Sequence, residues 1–261
     1  MTSASENTKK CPLGHSFDRA REGYYNLLLS SSHGVHGDNT EMVRARRTFL
    51  SYGLYEPMAK RVAEAIVSVH PFSGVLLDMG LGEGYYTDMV ERGIFARDGE
   101  STVLGFDISK EAVKLAARKN PRLALAVASS YSVPLSDGTV DTVLNLFSPM
   151  AVSEVRRVLK PRGHFIFVYP GIEHLFGLKS AIYQTPYKNK PEPDEIDGFE
   201  LLSKDELKYT VTLDSKEKIR TLFMMTPYAY RTGRAERERV LSLDTVTTEL
   251  DFIINVYRRA E

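Results

Sequence analysis

The chain has 261 residues, 43% of them hydrophobic, with 34 basic and 34 acidic side chains and a single cysteine. That length suits one main α/β domain that buries a core without covalent staples, and the lone Cys11 excludes an intramolecular disulfide. Zero net charge excludes a globally basic surface, so RNA would have to be gripped by local clusters.

The first ten residues lack the apolar core of a secretion signal, and no apolar run approaches the ~20 residues that span a bilayer. The expectation is a cytoplasmic protein without membrane contact. Thr40–Ser51 and Glu56–Val69 carry apolar residues at helical spacing, with Asn39 or Asp38 placed to cap the first. Five strand–helix alternations are expected from Val75 to Tyr169.

The first of these strands, Val75-Leu-Leu77, runs into Asp78-x-Gly80-x-Gly82-x-Gly84, with a helix expected from Tyr85. Glycine permits positive φ and lets the backbone approach a ligand. A phosphate-binding turn reads Gly-x-Gly-x-x-Gly and leaves a helix N-terminus open to pyrophosphate. Here the glycines alternate behind an acid whose charge repels phosphate but suits the cationic methionine end of S-adenosylmethionine. The next strand, Thr102–Phe106, stops at Asp107, an acid able to accept hydrogen bonds from both hydroxyls of a ribose. Ala124–Ala128 ends in Ser129-Ser130, and Val140–Leu146 runs into Asn145-Leu-Phe147-Ser-Pro149. Ligands of open α/β sheets bind at these carboxyl ends.

Lys160-Pro-Arg-Gly163 reads as a turn ending a helix before the strand His164–Tyr169. Residues 170–205, with a helix-like segment and the polar, proline-rich loop Tyr187–Asp194, read as a lid or substrate flap. Leu207–Leu213, a helix over Ser215–Met224 and Thr245–Val256 complete the sheet, the last alternating as a strand with one wetter face would. The pattern predicts a Rossmann-like α/β fold with a seven-stranded, mostly parallel sheet and helices on both faces. Local basic clusters are Arg44-x-Arg46-Arg47, Arg156-Arg157 and Arg231 with Arg234, Arg237 and Arg239.

Four segments carry a family resemblance. They are Cys11-Pro-x-x-His15-x-Phe17-Asp18-x-Ala20-x-Glu22-Gly23-Tyr24-x-Asn26-Leu27-Leu28, Gly37-Asp38-x-x-Glu41-Met42-x-x-Ala45-Arg46-Arg47-x-Phe49-Leu50, Gly84-Tyr85-Tyr86-Thr87 and Met225-Thr226-Pro227-Tyr228. Together the chain resembles the bacterial 23S ribosomal RNA guanine-N1 methyltransferases, a family with housekeeping and macrolide-resistance members, from Cys11 to about Arg259. The resemblance implies a class I S-adenosylmethionine-dependent methyltransferase fold, ribosomal RNA as partner, and a homodimer as one possible assembly. It also implies cofactor contacts from Tyr55 of Gly53-x-Tyr55-x-Pro57, Gly84, Tyr85 and His174. Aromatic rings at such positions can pack on adenine or shield a sulfonium by cation–π attraction. Asp78, Gly80, Gly82, Asp107, Ser129 and Ser130 complete the expected cofactor site.

One departure matters. The family carries an N-terminal zinc module of two ligand pairs, and residues 1–36 keep only the half-site Cys11 and His15. A structural zinc site needs four ligands, and His33 and His36 lie at an unusual spacing, so no metal is expected and the segment reads as a module remnant beside a methyltransferase domain at 37–261. Because the module is the family's RNA-recognition element, its decay also leaves open a paralogue acting on a small molecule, or a non-catalytic protein that binds S-adenosylmethionine. For methyl transfer, Asn145 and Phe147 are the candidates for positioning the acceptor. Guanine N1 carries a proton, and no single carboxylate or histidine stands out as the base that removes it.

Overall fold

The computed structural model describes residues 2–5, 7–11, 14–28 and 37–261; His33 and His36 lie outside them. Its strands are β1 Thr2–Ser5, β2 Thr8–Lys10, β3 Ser16–Asp18, β4 Tyr25–Asn26, β5 Val75–Met79, β6 Thr102–Asp107, β7 Ala124–Val127, β8 Val140–Leu146, β9 Leu159–Pro170, β10 Phe199–Leu213 and β11 Val246–Arg259. The helices are α1 Thr40–Ser51, α2 Glu56–Val69, α3 Tyr85–Arg97, α4 Lys110–Lys119, α5 Val152–Val158, α6 Phe176–Ile182, α7 Lys216–Met224, α8 Tyr228–Arg231 and α9 Arg234–Ser242. Local chemistry sets several ends. Asn39 caps α1 by accepting from the Met42 N–H at 2.9 Å, Ser215 does the same for α7 through Lys218, and Pro57 sits in the first turn of α2.

The main sheet has the order β10-β11-β9-β8-β5-β6-β7-β4, parallel from β4 to β9 and antiparallel at β9-β11 and β11-β10. The seven expected strands are all present. An eighth is added because Tyr25–Asn26, which carry no strand-length pattern, pair in parallel with Ala126 and Val127 at the β7 edge. From β5 the chain winds one way through β6 and β7 and the other way through β8 and β9, so the topological switch point lies between β5 and β8. Apolar side chains pack on both faces. Phe49, Val62, Ile66, Val90 and Val113 belong to the cluster on one face, and Val155, Val158, Phe165 and Tyr257 to that on the other. Each fully buried side chain of this kind contributes about 1.5–3 kcal/mol of transfer free energy.

Four expectations are corrected. No helix joins β7 to β8: Pro134 and Gly138 break residues 128–139 into turns, leaving a groove over Leu77, Leu104 and Ala126. Lys160–Gly163 is an outward loop within the β9 ladder, flanked by the pairs Val140–Leu159 and Thr142–His164, with Arg162 at φ 63°. Of the residues 170–205 read as a flap, 199–205 belong to β10, which pairs with β11 on either side of a bulge at Leu202. The one-sided alternation expected of the last strand falls instead on the edge strand β10. As an interior strand between β9 and β10, β11 is buried continuously from Leu250 to Tyr257.

Helix α6 crosses β11 so closely that Gly177 has no room for a side chain: a Cβ there would sit inside contact distance of the Thr247 carbonyl oxygen and 2.8 Å from the Thr248 Cα. Gly177→Ala is therefore expected to cost about 1–3 kcal/mol of stability, read as a lower urea midpoint with unchanged slope. A midpoint within error of the parent would show that α6 shifts without penalty.

Candidate active site

The carboxyl ends of β5, β6, β7 and β8 meet at the switch point. Gly80, Gly82 and Gly84 have φ of 89°, 57° and 73°, a left-handed path that only glycine follows without strain. Their surroundings differ. A Cβ on Gly80 would lie 2.5 Å from the Ser148 Cβ, and one on Gly84 3.0 Å from the Ala116 Cβ, so these two glycines admit neighbouring protein. Around Gly82 the nearest atom is a guanidinium nitrogen of Arg46 at 4.0 Å, so this position alone of the three faces open space.

Asp78 is buried at the end of β5. Its Oδ2 accepts from the Thr87 hydroxyl at 2.6 Å, and its Oδ1 has no partner among the protein groups. Burial pushes the carboxyl up to about 7, against the Thr87 hydrogen bond and with the Asp107 charge adding to the rise. At the end of β6, Asp107 accepts from the Gly82 N–H at 2.9 Å and the Ser109 N–H at 2.7 Å; burial raises its pKa, and these two bonds oppose the rise. Beyond β7, Ser129 and Ser130 are half-buried in a turn in which the Ser129 Oγ accepts from the Tyr131 N–H at 3.2 Å. Tyr85 opens α3, edge-on to Tyr86 at 5.1 Å.

After β8 the chain folds over the glycine turn. Asn145 is fully buried: its Nδ2 donates to the Pro149 carbonyl at 3.1 Å, and its Oδ1 has no partner among the protein groups. Ser148 donates to the Met79 carbonyl at 2.6 Å and thereby ties the loop to β5. Between them Phe147 sits at φ 54°, a left-handed conformation costly for an aromatic residue, with its ring 41% exposed. So Phe147 is presented outward, whereas Asn145 braces the loop.

The turn after β9 is fastened to β11. Gly171 N–H donates to the Asp251 carbonyl at 2.8 Å, Glu173 N–H to the Asp251 Oδ2 at 2.9 Å, and Asp251 N–H to the His174 Nδ1 at 3.2 Å. With Nδ1 accepting, a neutral His174 carries its proton on Nε2 and donates it to the Tyr55 hydroxyl oxygen at 3.2 Å. Burial, helped by the Lys179 charge, pushes the His174 pKa down to about 3, so the ring stays neutral. Tyr55, His174, Phe147 and Phe252 form one aromatic cluster with centroid separations of 4.9–6.2 Å.

Asp251 and Phe252 went unnoticed in the sequence, although an acid inside the apolar run Leu250-Asp-Phe-Ile-Ile254 is a signal in itself, and Thr87 stands in a family segment without its bond to Asp78 being foreseen. The basic clusters separate. Arg46 pairs with Asp38 and reaches toward the glycine turn. Arg157 is consumed by Glu154, Asp137 and the Val133 and Leu135 carbonyls, and Arg239 by the Ala181 and Ile182 carbonyls. Arg44 and Arg231 are exposed and in no ion pair among the described residues. In the N-terminal segment, Cys11 Sγ lies 3.3 Å from His15 Nδ1.

Family models match two parts of the chain: "Methyltransferase domain" over residues 77–167 and "RlmA, N-terminal" over residues 2–30. A Streptomyces fradiae protein named 23S rRNA (guanine(748)-N(1))-methyltransferase is 34% identical over 218 residues, covering 81% of this chain and 76% of the relative. A Micromonospora griseorubida protein named as a 23S rRNA (guanine-N(1)-)-methyltransferase is 35% identical over 259 residues, covering 92% and 86%. Among solved structures, the YcgJ protein of Bacillus subtilis superposes with a TM-score of 0.51 at 15% identity, covering 77% of this chain and 99% of that one. One described as a methyltransferase of Bacillus halodurans gives 0.51 at 14% identity over 78% and 99%. Likeness at that identity speaks to the fold.

The buried Asp78 carboxyl has a consequence for stability. Its folded pKa of about 7 stands above the ordinary carboxylate value of about 3.8, so the contribution of Asp78 to the stability of the ligand-free protein is fully present only below about pH 4, where the group is protonated in both states. That stability is lost as pH rises through about 7. Asp78→Asn is expected to match the parent near pH 4 and to exceed it at pH 8 by up to about 4 kcal/mol in urea unfolding. Parallel pH profiles for the two proteins would refute this.

Proposed function

The chain belongs to the 23S ribosomal RNA guanine-N1 methyltransferase family, and from that membership we propose that it methylates N1 of a guanine in 23S ribosomal RNA. It is an S-adenosylmethionine-dependent methyltransferase. One local observation supports the cofactor reading most directly: the buried, unpartnered Oδ1 of Asp78 beside the open approach at Gly82. A cation with N–H donors satisfies that oxygen, whereas a phosphate would meet a second negative charge.

S-adenosylmethionine supplies an electrophilic methyl group on a sulfonium. The residues that would hold it are Asp107 for the ribose hydroxyls, Gly82 for close backbone approach, Ser129, Ser130 and Tyr85 on the adenine side, and Asp78, Tyr55 and His174 toward the methionine end. Asp107 keeps unused lone pairs after accepting from Gly82 and Ser109. Arg46, near Gly82 and paired with Asp38, offers a cation to the cofactor's carboxylate.

The chain's share of catalysis is positioning. Phe147 offers its exposed ring to the target guanine, and the Asn145–Pro149 bond with the Ser148–Met79 bond fixes where that ring stands. His174 is excluded as the base for the N1 proton, because it is a weak acceptor whose Nδ1 already receives the Asp251 N–H. Tyr55 accepts from His174, which leaves its own O–H free to donate to a bound ligand. Residues 1–36 are the remnant of the family's zinc module and 37–261 the methyltransferase domain, with the loop 183–198 as the flap beside the site. Ribosomal RNA as acceptor puts the enzyme in the cytoplasm.

Primer extension on deproteinised large-subunit RNA incubated with the protein tests the reading, since a methyl on guanine N1 blocks base pairing. A new stop at a guanine that requires S-adenosylmethionine is expected. Bound cofactor with no stop on naked or ribosome-derived RNA would overturn the RNA reading and direct attention to small acceptors. With an active substrate, Phe147→Ala is expected to lower kcat about 10- to 100-fold while leaving cofactor affinity within twofold. A parent-like kcat would remove Phe147 from the acceptor site.

A further inference from the structure

Lys179 on α6 is 0% exposed, yet among the described residues it has no carboxylate partner. Its ammonium donates to the Asn189 Oδ1 at 2.5 Å and lies 4.7 Å from the centre of the Tyr187 ring and 5.6 Å from that of Tyr228. Tyr183 completes the group, 5.6 Å from Tyr187 and 6.4 Å from Tyr228. A lysine buried this way keeps its charge through an amide oxygen and the negative faces of aromatic rings.

Position links the cluster to the active site. Asn189 N–H donates to the Ile172 carbonyl at 2.9 Å and its Nδ2 to the Gly171 carbonyl at 2.8 Å, so the flap is pinned to the turn that carries His174. Tyr187 stands on this anchor with a cation beneath its ring and 52% of its surface open. The Arg231 charge acts on Tyr187, and neither Arg231 nor exposed Lys190 is in an ion pair among the described residues. Nearby acids are mostly engaged: Glu173 by Lys188 and Lys208, and Asp194 by Lys204. Glu192 lies further along the loop, where its charge acts on Tyr169. Arg231 thus brings an unpaired positive charge to an open aromatic face that the buried Lys179 ammonium supports from beneath.

That combination is what an unpaired nucleotide requires: a ring for its base and cations for its phosphate. We propose that Tyr187, held up by Lys179, is a stacking platform for an unpaired base flanking the target guanine, with Arg231 receiving the adjoining phosphate. The proposal rests on the ribosomal RNA reading above and supplies local grip in a chain whose N-terminal module has decayed.

The test is steady-state methylation of deproteinised large-subunit RNA, with S-adenosylhomocysteine binding measured in parallel. Tyr187→Ala is expected to raise the apparent KM for RNA about 5- to 100-fold at unchanged kcat, while Tyr187→Trp and Tyr187→Phe stay near the parent. Arg231→Gln should reduce the slope of log affinity against log salt by about 0.7. An unchanged RNA KM in Tyr187→Ala, or a parallel loss of S-adenosylhomocysteine affinity, would overturn the platform while leaving the RNA reading intact. A parent protein that binds S-adenosylhomocysteine but methylates no RNA would overturn the reading itself.

Discussion

A carboxyl group buried with one oxygen satisfied and the other bare governs the construction of this site. Asp78 ends the central strand β5, and removing it from water is unfavourable unless a counter-charge or a proton accompanies it. Thr87 supplies half of the compensation from the first turns of α3. The other oxygen is unpartnered among the protein groups, and the Ser148 latch and the Asp107 bonds to Gly82 and Ser109 hold the glycine turn that follows in shape. The ligand-free protein thus holds an uncompensated buried oxygen at the carboxyl end of β5.

A second, independent support reaches the site from the opposite side of the sheet. Asp251 receives two backbone N–H groups from the turn after β9 and gives its own N–H to His174, which fixes the tautomer and through it the Tyr55 hydroxyl. Because His174 is held neutral near neutral pH, its Nε2–H stays a donor there and the aromatic wall carries no imidazolium charge. The β5 side supplies negative charge and the β11 side supplies neutral rings. Between them Phe147 is displayed in a conformation it would not choose alone.

Much of this was legible in the residues. The spans of α1 and α2 followed from apolar spacing and a capping asparagine, and the glycine turn, Asp107 and the loop after β8 could be placed because strand ends of parallel sheets are where chains change direction. What escaped depended on long-range partners. Nothing in Tyr25–Asn26 announces a strand, because two residues gain their pairing only from the β7 edge. The burial of β11 comes from its place between β9 and β10, and a polar residue such as Asn255 is tolerated there because Tyr257 and Tyr169 lie within hydrogen-bonding reach. Lys179 looks like any surface lysine on a short helix until α8 and the flap close over it. The three glycines have the positive φ expected of the turn, but only their three-dimensional neighbours separate Gly82 from Gly80 and Gly84.

The interior place of β11 also fixes an order of events during synthesis. Strands β5 to β9 are all translated before residues 246–259, yet β9 has β11 as its outer neighbour, and β10 joins the sheet only through β11. A nascent chain lacking this strand therefore exposes an apolar, unpaired β9 edge of the kind that recruits other chains. It also lacks Asp251 and Phe252, so the His174 turn has no bonds to β11 and the aromatic wall is unmade. The parallel half of the sheet can form early, but the aromatic wall of His174, Tyr55 and Phe252 is complete only with the last strand of the sheet.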